Sequence, residues 1–185
     1  MFFSPSWYVG IKIDIAKAYD SFEWPFIQNV LQNMRYPPNI IKTIMLCLSS
    51  VTFSILINGS PTDSFQPKRG IRQGDPLSPY LFIICAKVLS GMIDKNQKNG
   101  AITGVAIATK SPAISHLLYA DDSILFCRAK PEEAKAIMNI IMEYQKASGQ
   151  KVNMDKSEMI FSPNISMEFK KVFQDILPIK IRDSI

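Results

Sequence analysis

The chain has 185 residues, of which 47% are hydrophobic and 20% charged, the composition of an ordinary globular domain that buries a core. A formal net charge of +5 favours a polyanionic partner, although charge alone does not select one. The longest apolar run, residues 80–93, is interrupted by Lys87 and is shorter than the roughly 20 residues of a bilayer span, so no membrane helix is predicted. The start, MFFSPSWYVG, lacks the features of a signal peptide, and we expect an intracellular protein.

The three cysteines do not suggest disulfides. The sequence has an odd number of cysteines, Cys47, Cys85 and Cys127, and no two of them form a Cys-x-x-Cys pair. We interpret them as reduced thiols in the core, with a zinc site as a much weaker alternative.

The first predicted element is a strand over residues 9–15. Its apolar side chains alternate with polar ones, which is typical of a strand that is covered on one face. Lys12 and Asp14 therefore point away from the core. The apolar positions are Val9, Ile11, Ile13 and Ile15.

Two helices and a hairpin are expected next. Ser21 is the predicted N-cap of the first helix, which ends before Tyr36-Pro37-Pro38. The second helix covers residues 39–48, and the β-rich run 52–57 ends at Asn58-Gly59, a strong hairpin signal. The buried stripe of the first helix comprises Phe26, Ile27, Val30, Leu31 and Met34, and that of the second comprises Ile41, Ile44, Met45 and Leu48.

The second half of the chain continues the mixed pattern. Ser78 as N-cap and Pro79 at the first helical position open a third helix. Residues 114–127 are predicted to form strand, turn and strand, and a fourth helix runs from Pro131 to a stop at Gly149, with Met142 in its apolar stripe. A strand at 159–161 and an amphipathic segment at 167–177 follow. The predicted fold class is α+β, with one mainly antiparallel sheet and helices on one of its faces.

Two adjacent carboxylates occupy the predicted turn LYADDS. If the strand that carries Asp14 lies beside this hairpin, Asp14, Asp121 and Asp122 crowd one open face. Such crowding is unfavourable unless cations neutralise it, and oxygen ligands suit Mg²⁺ or Mn²⁺ better than zinc. Two such ions are a standard arrangement for in-line phosphoryl transfer. The doublet taken by itself favours a solvated turn instead.

A basic loop precedes the third helix. Residues 68–79, KRGIRQGDPLSP, combine three cations and two glycines with a helix start. Glycines allow close approach of a ligand to the backbone, and a helix N-terminus with nearby cations favours phosphate. A basic surface turn that caps the helix is the alternative.

Four segments in order resemble motifs A, B, C and D of reverse transcriptases, in particular the non-LTR, LINE-type retrotransposon enzymes of plants. They are IKIDIAKAYDSFEW (11–24), RGIRQGDPLSPYL (69–81), HLLYADDSILFCR (116–128) and ASGQKVNMDKS (147–157). The resemblance implies a polymerase palm with a ferredoxin-like core over residues 9–162. Residues 1–8 are unmatched, and residues 163–185 lead toward a thumb.

The resemblance also implies roles for individual acidic and basic residues. Asp14 and Asp121 match the metal ligands, and Asp122 matches the second, auxiliary aspartate of the Tyr-x-Asp-Asp box. Ile15 would contribute only its backbone carbonyl to the metal or the triphosphate. Lys156 matches the motif D lysine that donates a proton to pyrophosphate, although a lone lysine in a loop is otherwise a solvated charge.

Further matches concern the incoming nucleotide. Tyr19 matches the aromatic gate that excludes a ribose 2′-hydroxyl, whereas without the family it would be interpreted as a core tyrosine. Gln73 and Gly74 match motif B residues that contact the nucleotide and the template, and Arg72 is near enough to assist with phosphate. His116 is expected to be a packed or hydrogen-bonded sheet residue without a catalytic role.

The implied function is that of an RNA-directed DNA polymerase, which adds deoxynucleotides to a DNA primer on an RNA template with Mg²⁺ or Mn²⁺. The alternative is a catalytically inactive or co-opted remnant that holds nucleic acid through Lys68, Arg69 and Arg72. Motif A lies near the start of the sequence, so fingers and thumb are expected from a longer parent protein. The family implies a nuclear or cytoplasmic location, and nothing indicates the oligomeric state.

Overall fold

The computed structural model describes residues 7–108, 111–119 and 122–182. The strands of this part of the chain are β1 (Tyr8–Ala16), β2 (Leu56–Ile57), β3 (Ser60–Pro61), β4 (His116–Tyr119), β5 (Asp122–Arg128), β6 (Lys151–Val152), β7 (Glu158–Phe161) and β8 (Lys180–Ile181). The helices are α1 (Trp24–Asn33), α2 (Pro38–Ser49), α3 (Ser78–Lys98), α4 (Pro131–Ser148) and α5 (Met167–Ile176).

One sheet organises the fold. Its strand order is β4-β5-β1-β7-β8, with β6 paired to the end of β1, while β2 and β3 form a separate hairpin. The pairs are antiparallel except β7 with β8. The predicted α+β class with a mainly antiparallel sheet is therefore confirmed. Among the described residues, no helix combines the length and apolar character needed to cross a membrane.

The two faces of the sheet differ in burial. On β1, Val9, Ile11 and Ile13 are buried, whereas Lys12 is exposed and Asp14 is half-buried. The same alternation on the neighbouring strands buries Leu125, Cys127, Met159 and Phe161. The helices thus cover one face, as predicted, and the polar side chains of β1 lie on the open face.

The predicted N-cap Ser21 is wrong. Helix α1 starts at Trp24 after an extended Glu23, and no side chain caps it. The Ser21 hydroxyl instead donates to the carbonyl oxygen of Lys17 at 2.9 Å, because the chain is still in the tight turn that follows β1. Met34 was expected in the buried stripe, but it follows the last residue of α1 and is 44% exposed.

The predicted N-cap Ser78 is also wrong. It is the first residue of α3 and is buried, while the preceding Leu77 occupies the cap position. The side chain of Asp75 accepts a hydrogen bond from the Leu77 backbone N–H at 2.8 Å. Asp75 therefore satisfies a backbone donor at this helix start.

Two apolar side chains expected in the core are on the surface. Met142 of α4 is 54% exposed, and Cys47 of α2 is exposed. Cys85 and Cys127 are buried free thiols, as predicted. Burial raises the pKa of Cys85 to about 12 and raises that of Cys127 further, so both remain protonated at neutral pH.

The end of α4 is fastened to the turn after β1. Gly149 ends the helix with a φ of +79°, as the sequence predicts. A side chain at this position would come within 2.9 Å of the Ser21 carbonyl oxygen. The Glu23 N–H also donates to the Ser148 carbonyl at 2.9 Å. This contact joins motif D to the end of motif A.

Candidate active site

The strands that carry motifs A and C are direct neighbours. In the antiparallel register of β1 and β5, Asp14 lies opposite Asp122. Residues that face each other in this way project to the same side of a sheet, with Cβ atoms about 4.5–5.5 Å apart. The expected convergence of these two segments is therefore present. Asp121 lies outside the described residues.

A lysine that the sequence analysis did not assign to the site contacts Asp122 of this acidic pair. Lys12 precedes Asp14 by two positions, so both side chains project to the same face of β1. Its Nζ lies 2.9 Å from Oδ1 of Asp122, with both side chains about half exposed. The hydrogen bond and charge of Asp122 raise the pKa of Lys12. The strand alternation could have identified Lys12, because it places the lysine beside Asp14.

The oxygen donors of this face suit a divalent cation. Asp14 and Asp122 supply carboxylate oxygens at an open edge of the core, the ligand type that Mg²⁺ and Mn²⁺ prefer. Within residues 7–108, 111–119 and 122–182, no group of three potential metal-binding side chains occurs. Ile15, expected to contribute only its carbonyl, lies opposite Val152 of β6 in the sheet.

The loop between β6 and β7, residues 153–157, is bound to the backbone of Asp14. The Asn153 N–H donates to the Asp14 carbonyl at 2.8 Å, and the Asp14 N–H donates to Oγ of Ser157 at 3.1 Å. The Ser157 hydroxyl in turn donates to the Asn153 carbonyl at 2.7 Å. Lys156 is exposed on this same loop. The motif D lysine is thus carried by a segment that is anchored to the motif A aspartate.

Tyr19 lies in the turn between β1 and α1. Its half-buried ring stacks on Phe82 of α3, with ring centroids 4.9 Å apart and an interplanar angle of 11°. Its carbonyl oxygen accepts a hydrogen bond from the N–H of Ile71 at 2.8 Å. The contact with Phe82 fixes the ring, so the structure gives Tyr19 a packing role whether or not it also meets a sugar.

The basic loop packs directly against this turn. The N–H of Gly70 donates to the Phe22 carbonyl at 2.7 Å, and Gly70 has a φ of +85°. A Cβ atom at this position would lie 2.7 Å from the carbonyl oxygen of Asp20, so only glycine fits. Motif B is therefore held against the second half of motif A.

The other predicted nucleotide and nucleic-acid contacts lie around this loop. Lys68, Arg69, Arg72, Gln73 and Gly74 are all exposed. Arg69 is 3.8 Å from Oε1 of Glu23, a loose surface ion pair. Three of the five, Arg69, Arg72 and Gln73, line a cleft of about 410 Å³.

His116 stands apart from these groups. Its ring nitrogens are hydrogen-bonded to the hydroxyls of Ser90, at 2.9 Å, and Ser115, at 3.1 Å. Burial lowers its pKa, with a smaller upward effect from the charge of Asp94. The expectation of a hydrogen-bonded sheet residue is confirmed.

Comparison with known protein families identifies the family of this chain. Residues 5–172 match the family model described as reverse transcriptase (RNA-dependent DNA polymerase). The chain belongs to the reverse transcriptase family. An uncharacterized mitochondrial protein of Arabidopsis thaliana is 42% identical over 106 residues, which is 57% of this chain and 86% of that protein.

Other relatives are retrotransposon polyproteins. The Pol polyprotein of the type-1 retrotransposable element R2 of Popillia japonica is 24% identical over 159 residues, 86% of this chain and 25% of that protein. The corresponding R2DM polyprotein of Drosophila melanogaster is 27% identical over 78% of this chain and 13% of its own length. This reverse transcriptase chain thus spans a quarter or less of these polyproteins, and the expected relationship to non-LTR retrotransposons is confirmed.

Solved telomerase structures share the fold. Telomerase of Candida tropicalis, in complex with a fragment of telomeric RNA, matches 87% of this chain and 27% of its own with a TM-score of 0.67 and 18% identity. The telomerase of Candida albicans matches with a TM-score of 0.61 and 17% identity. These matches support the palm-type architecture of this reverse transcriptase domain.

Proposed function

We propose that this chain is the palm of an RNA-directed DNA polymerase, which adds deoxynucleotides to the 3′ end of a DNA primer on an RNA template. The observation that carries the proposal is the register of β1 and β5, because it sets Asp14 opposite the Asp122 of the Tyr-x-Asp-Asp box on the open face. The proposed palm covers residues 9–162, flanked by residues 1–8 and by residues 163–185, which lead toward a thumb. The R2 polyproteins extend far beyond the matched region, and we expect a longer parent protein to supply fingers and thumb.

Reverse transcriptases use divalent metal ions, and in this chain Asp14 and Asp121 would hold Mg²⁺ or Mn²⁺, with Asp122 as an auxiliary ligand and the Ile15 carbonyl nearby. The ions would activate the primer hydroxyl and neutralise the triphosphate. Lys156 would protonate the departing pyrophosphate. The support for this last role is the attachment of its loop to both backbone polar groups of Asp14.

The remaining residues would select and position the substrates. Tyr19 would act as the gate against ribonucleotides, and its stacking on Phe82 would hold the ring in a fixed position for this purpose. Gln73 and Gly74 would contact the nucleotide and the template, with Arg72 at phosphate. Lys68 and Arg69 would bind the nucleic-acid backbone. The nuclear or cytoplasmic location belongs to the same proposal and is supported by the family alone.

A second candidate is a nucleic-acid-binding module that does not polymerise. The Lys12–Asp122 ion pair favours it, because this pair gives the acidic face a counter-charge that requires no metal. The basic loop would still hold RNA or DNA through phosphate contacts. Binding would then weaken as salt increases, in proportion to the number of phosphates contacted.

Incorporation of labelled deoxynucleotides on a primed RNA template with Mg²⁺ discriminates the two candidates. With fingers and thumb in place in the longer parent protein, we expect incorporation by the wild type, and its loss in Asp14→Asn and Asp121→Asn with little change in melting temperature. Asp175→Asn is the matched control, since it makes the same charge change at an exposed position of α5. Salt-sensitive binding without incorporation by the wild type would support the second candidate. Equal incorporation by the wild type and Asp121→Asn would refute the assigned metal ligand.

A further inference from the structure

A cleft beside the basic loop contains aromatic side chains to which the proposed function assigns no role. Its volume is about 410 Å³, within the roughly 300–1,000 Å³ of small-ligand sites. The end of α2 and the chain on either side of the β2–β3 hairpin form its apolar walls, and residues 69–73 form its polar rim. The apolar walls include Leu48, Val51, Phe53, Phe65 and Pro67.

Two phenylalanines are presented together in this cleft. Phe53 and Phe65 exchange a pair of backbone hydrogen bonds, both 2.8 Å long, so their side chains project to the same side. The ring centroids are 6.1 Å apart, and the side chains are 38% and 49% exposed. The backbone bonds thus hold two large apolar rings in place while leaving their surfaces open to a ligand.

The charges of the lining do not favour a highly anionic ligand inside the cleft. Arg69 and Arg72 line the cleft together with Asp20 and Asp75, so the formal charges balance. A triphosphate inside it would meet both carboxylates, which is unfavourable. A neutral aromatic ring with hydrogen-bonding edges matches the lining better, since the carboxylates accept from exocyclic amines while the guanidinium groups at the rim remain available to phosphates outside the cleft.

We infer that this cleft, defined by Phe53, Phe65 and the 69–73 loop, binds an unpaired base of a single-stranded RNA template by stacking. The phosphates would remain outside, where the exposed Lys68 adjoins the rim. Combining exposed aromatic rings with adjacent cations is the usual way that proteins hold single strands. This inference rests on the proposed function, because it requires that the chain binds a nucleic acid.

Fluorescence of a single-stranded RNA that contains 2-aminopurine tests the inference on the full chain, without metal or deoxynucleotides. Stacking on the phenylalanines changes the emission of the probe, and anisotropy of the same RNA gives the affinity. We expect Phe65→Ala and Phe53→Ala each to weaken binding by roughly 5- to 150-fold, the usual effect of removing one stacking partner. Phe65→Trp should restore both signals.

Tyr36→Ala is the matched control. Tyr36 is 37% exposed, close to the exposure of Phe53, but it lies on the α1–α2 connection and does not line the cleft. We expect its affinity for RNA to stay within about twofold of the wild type. Melting curves of all variants verify folding, and because both phenylalanines are partly exposed we expect small changes.

Three results would overturn the inference, and they are separable from failure of polymerisation. Wild-type affinity and emission in Phe65→Ala would show that the ring does not contact a base. If the wild type bound a deoxynucleoside triphosphate as tightly as the RNA, and Phe65→Ala abolished that binding, the cleft would be assigned to the incoming nucleotide. If a fully paired duplex containing 2-aminopurine gave the same emission change as the single strand, binding of an unpaired base would be excluded. Stacking by this chain without incorporation by the longer parent protein would reject the polymerase assignment and leave the binding of an unpaired base intact.

Discussion

Ser157 connects motif D to β1, the strand that carries Asp14, and its replacement by alanine tests this link. The side chain is fully buried, accepts the N–H of Asp14 and donates to the carbonyl of Asn153. In Ser157→Ala the Asn153 carbonyl keeps the N–H of residue 157 at 2.9 Å, but the Asp14 N–H loses its acceptor. The cost is therefore that of one unsatisfied donor on a half-buried strand residue.

An unsatisfied buried donor costs about 1–3 kcal/mol, and we take about 2 kcal/mol for this site. For a chain of this size, the melting temperature should fall by roughly 4–8 °C. Differential scanning calorimetry measures the change. Deoxynucleotide incorporation should fall as well, because the loop that carries Lys156 keeps only one of its two hydrogen bonds to Asp14, the one donated by the Asn153 N–H.

The control is Ser166→Ala, which removes a hydroxyl that also accepts a backbone N–H, from Phe169 at 3.3 Å. This bond caps α5 at an exposed site, where water can replace the hydroxyl, so we expect a smaller loss of stability and no loss of incorporation. A Ser157→Ala protein that melts within about 1 °C of wild type would refute the assigned bond energy. Unchanged incorporation would refute the positioning role of Ser157.

Three further predictions concern other contacts. Gly70→Ala should lower the melting temperature more than Gly59→Ala. Both glycines have a positive φ, but only a Cβ atom at position 70 would collide with a carbonyl oxygen, that of Asp20 at 2.7 Å. Equal melting temperatures of the two variants would contradict this close approach. Lys12→Met should tighten Mg²⁺ binding in calorimetric titrations, since it removes a cation 2.9 Å from the carboxylate of Asp122. Weaker Mg²⁺ binding by the variant than by the wild type would contradict competition between the lysine and the metal. Burial lowers the pKa of His116, so the folded state resists its protonation and stability is lost as pH falls below the ordinary value of 6.5. His116→Gln should therefore show a smaller drop in melting temperature between about pH 7.5 and pH 5.5 than wild type, and an equal drop would exclude this histidine as a source of acid sensitivity.

Local patterns predicted the elements that depend on local chemistry. The alternation of residues 9–15 identified β1 and its buried face, and Pro131 with Gly149 bounded α4. The two serine N-cap predictions failed because the hydrogen bonds of a side chain depend on which donors and acceptors lie near it in the folded chain. The Ser21 hydroxyl donates to the carbonyl of Lys17 in the preceding turn, and the Asp75 side chain accepts a backbone N–H at the start of α3, the role expected of Ser78.

Two of the two-residue strands, β6 and β8, escaped the sequence analysis. β6 and β8 are too short to show an alternation, and they exist because β1 and β7 offer free edges for pairing. β6 nevertheless positions the site, since it leads directly into the loop that holds Asp14. Lys12 was overlooked for a different reason: its alternation was recognised, but its partner Asp122 became visible only with the register of β1 and β5.

The sequence by itself determined the family, the class of fold and the order of the four motifs, because these follow from residue types within short windows. Tertiary structure decided the pairing of Asp14 with Asp122 and the attachment of the Lys156 loop to Asp14. The physical reason is distance along the chain. A local pattern sets which face of a strand is apolar and where the chain turns, but partners more than a hundred residues apart are selected by the packing of the whole core.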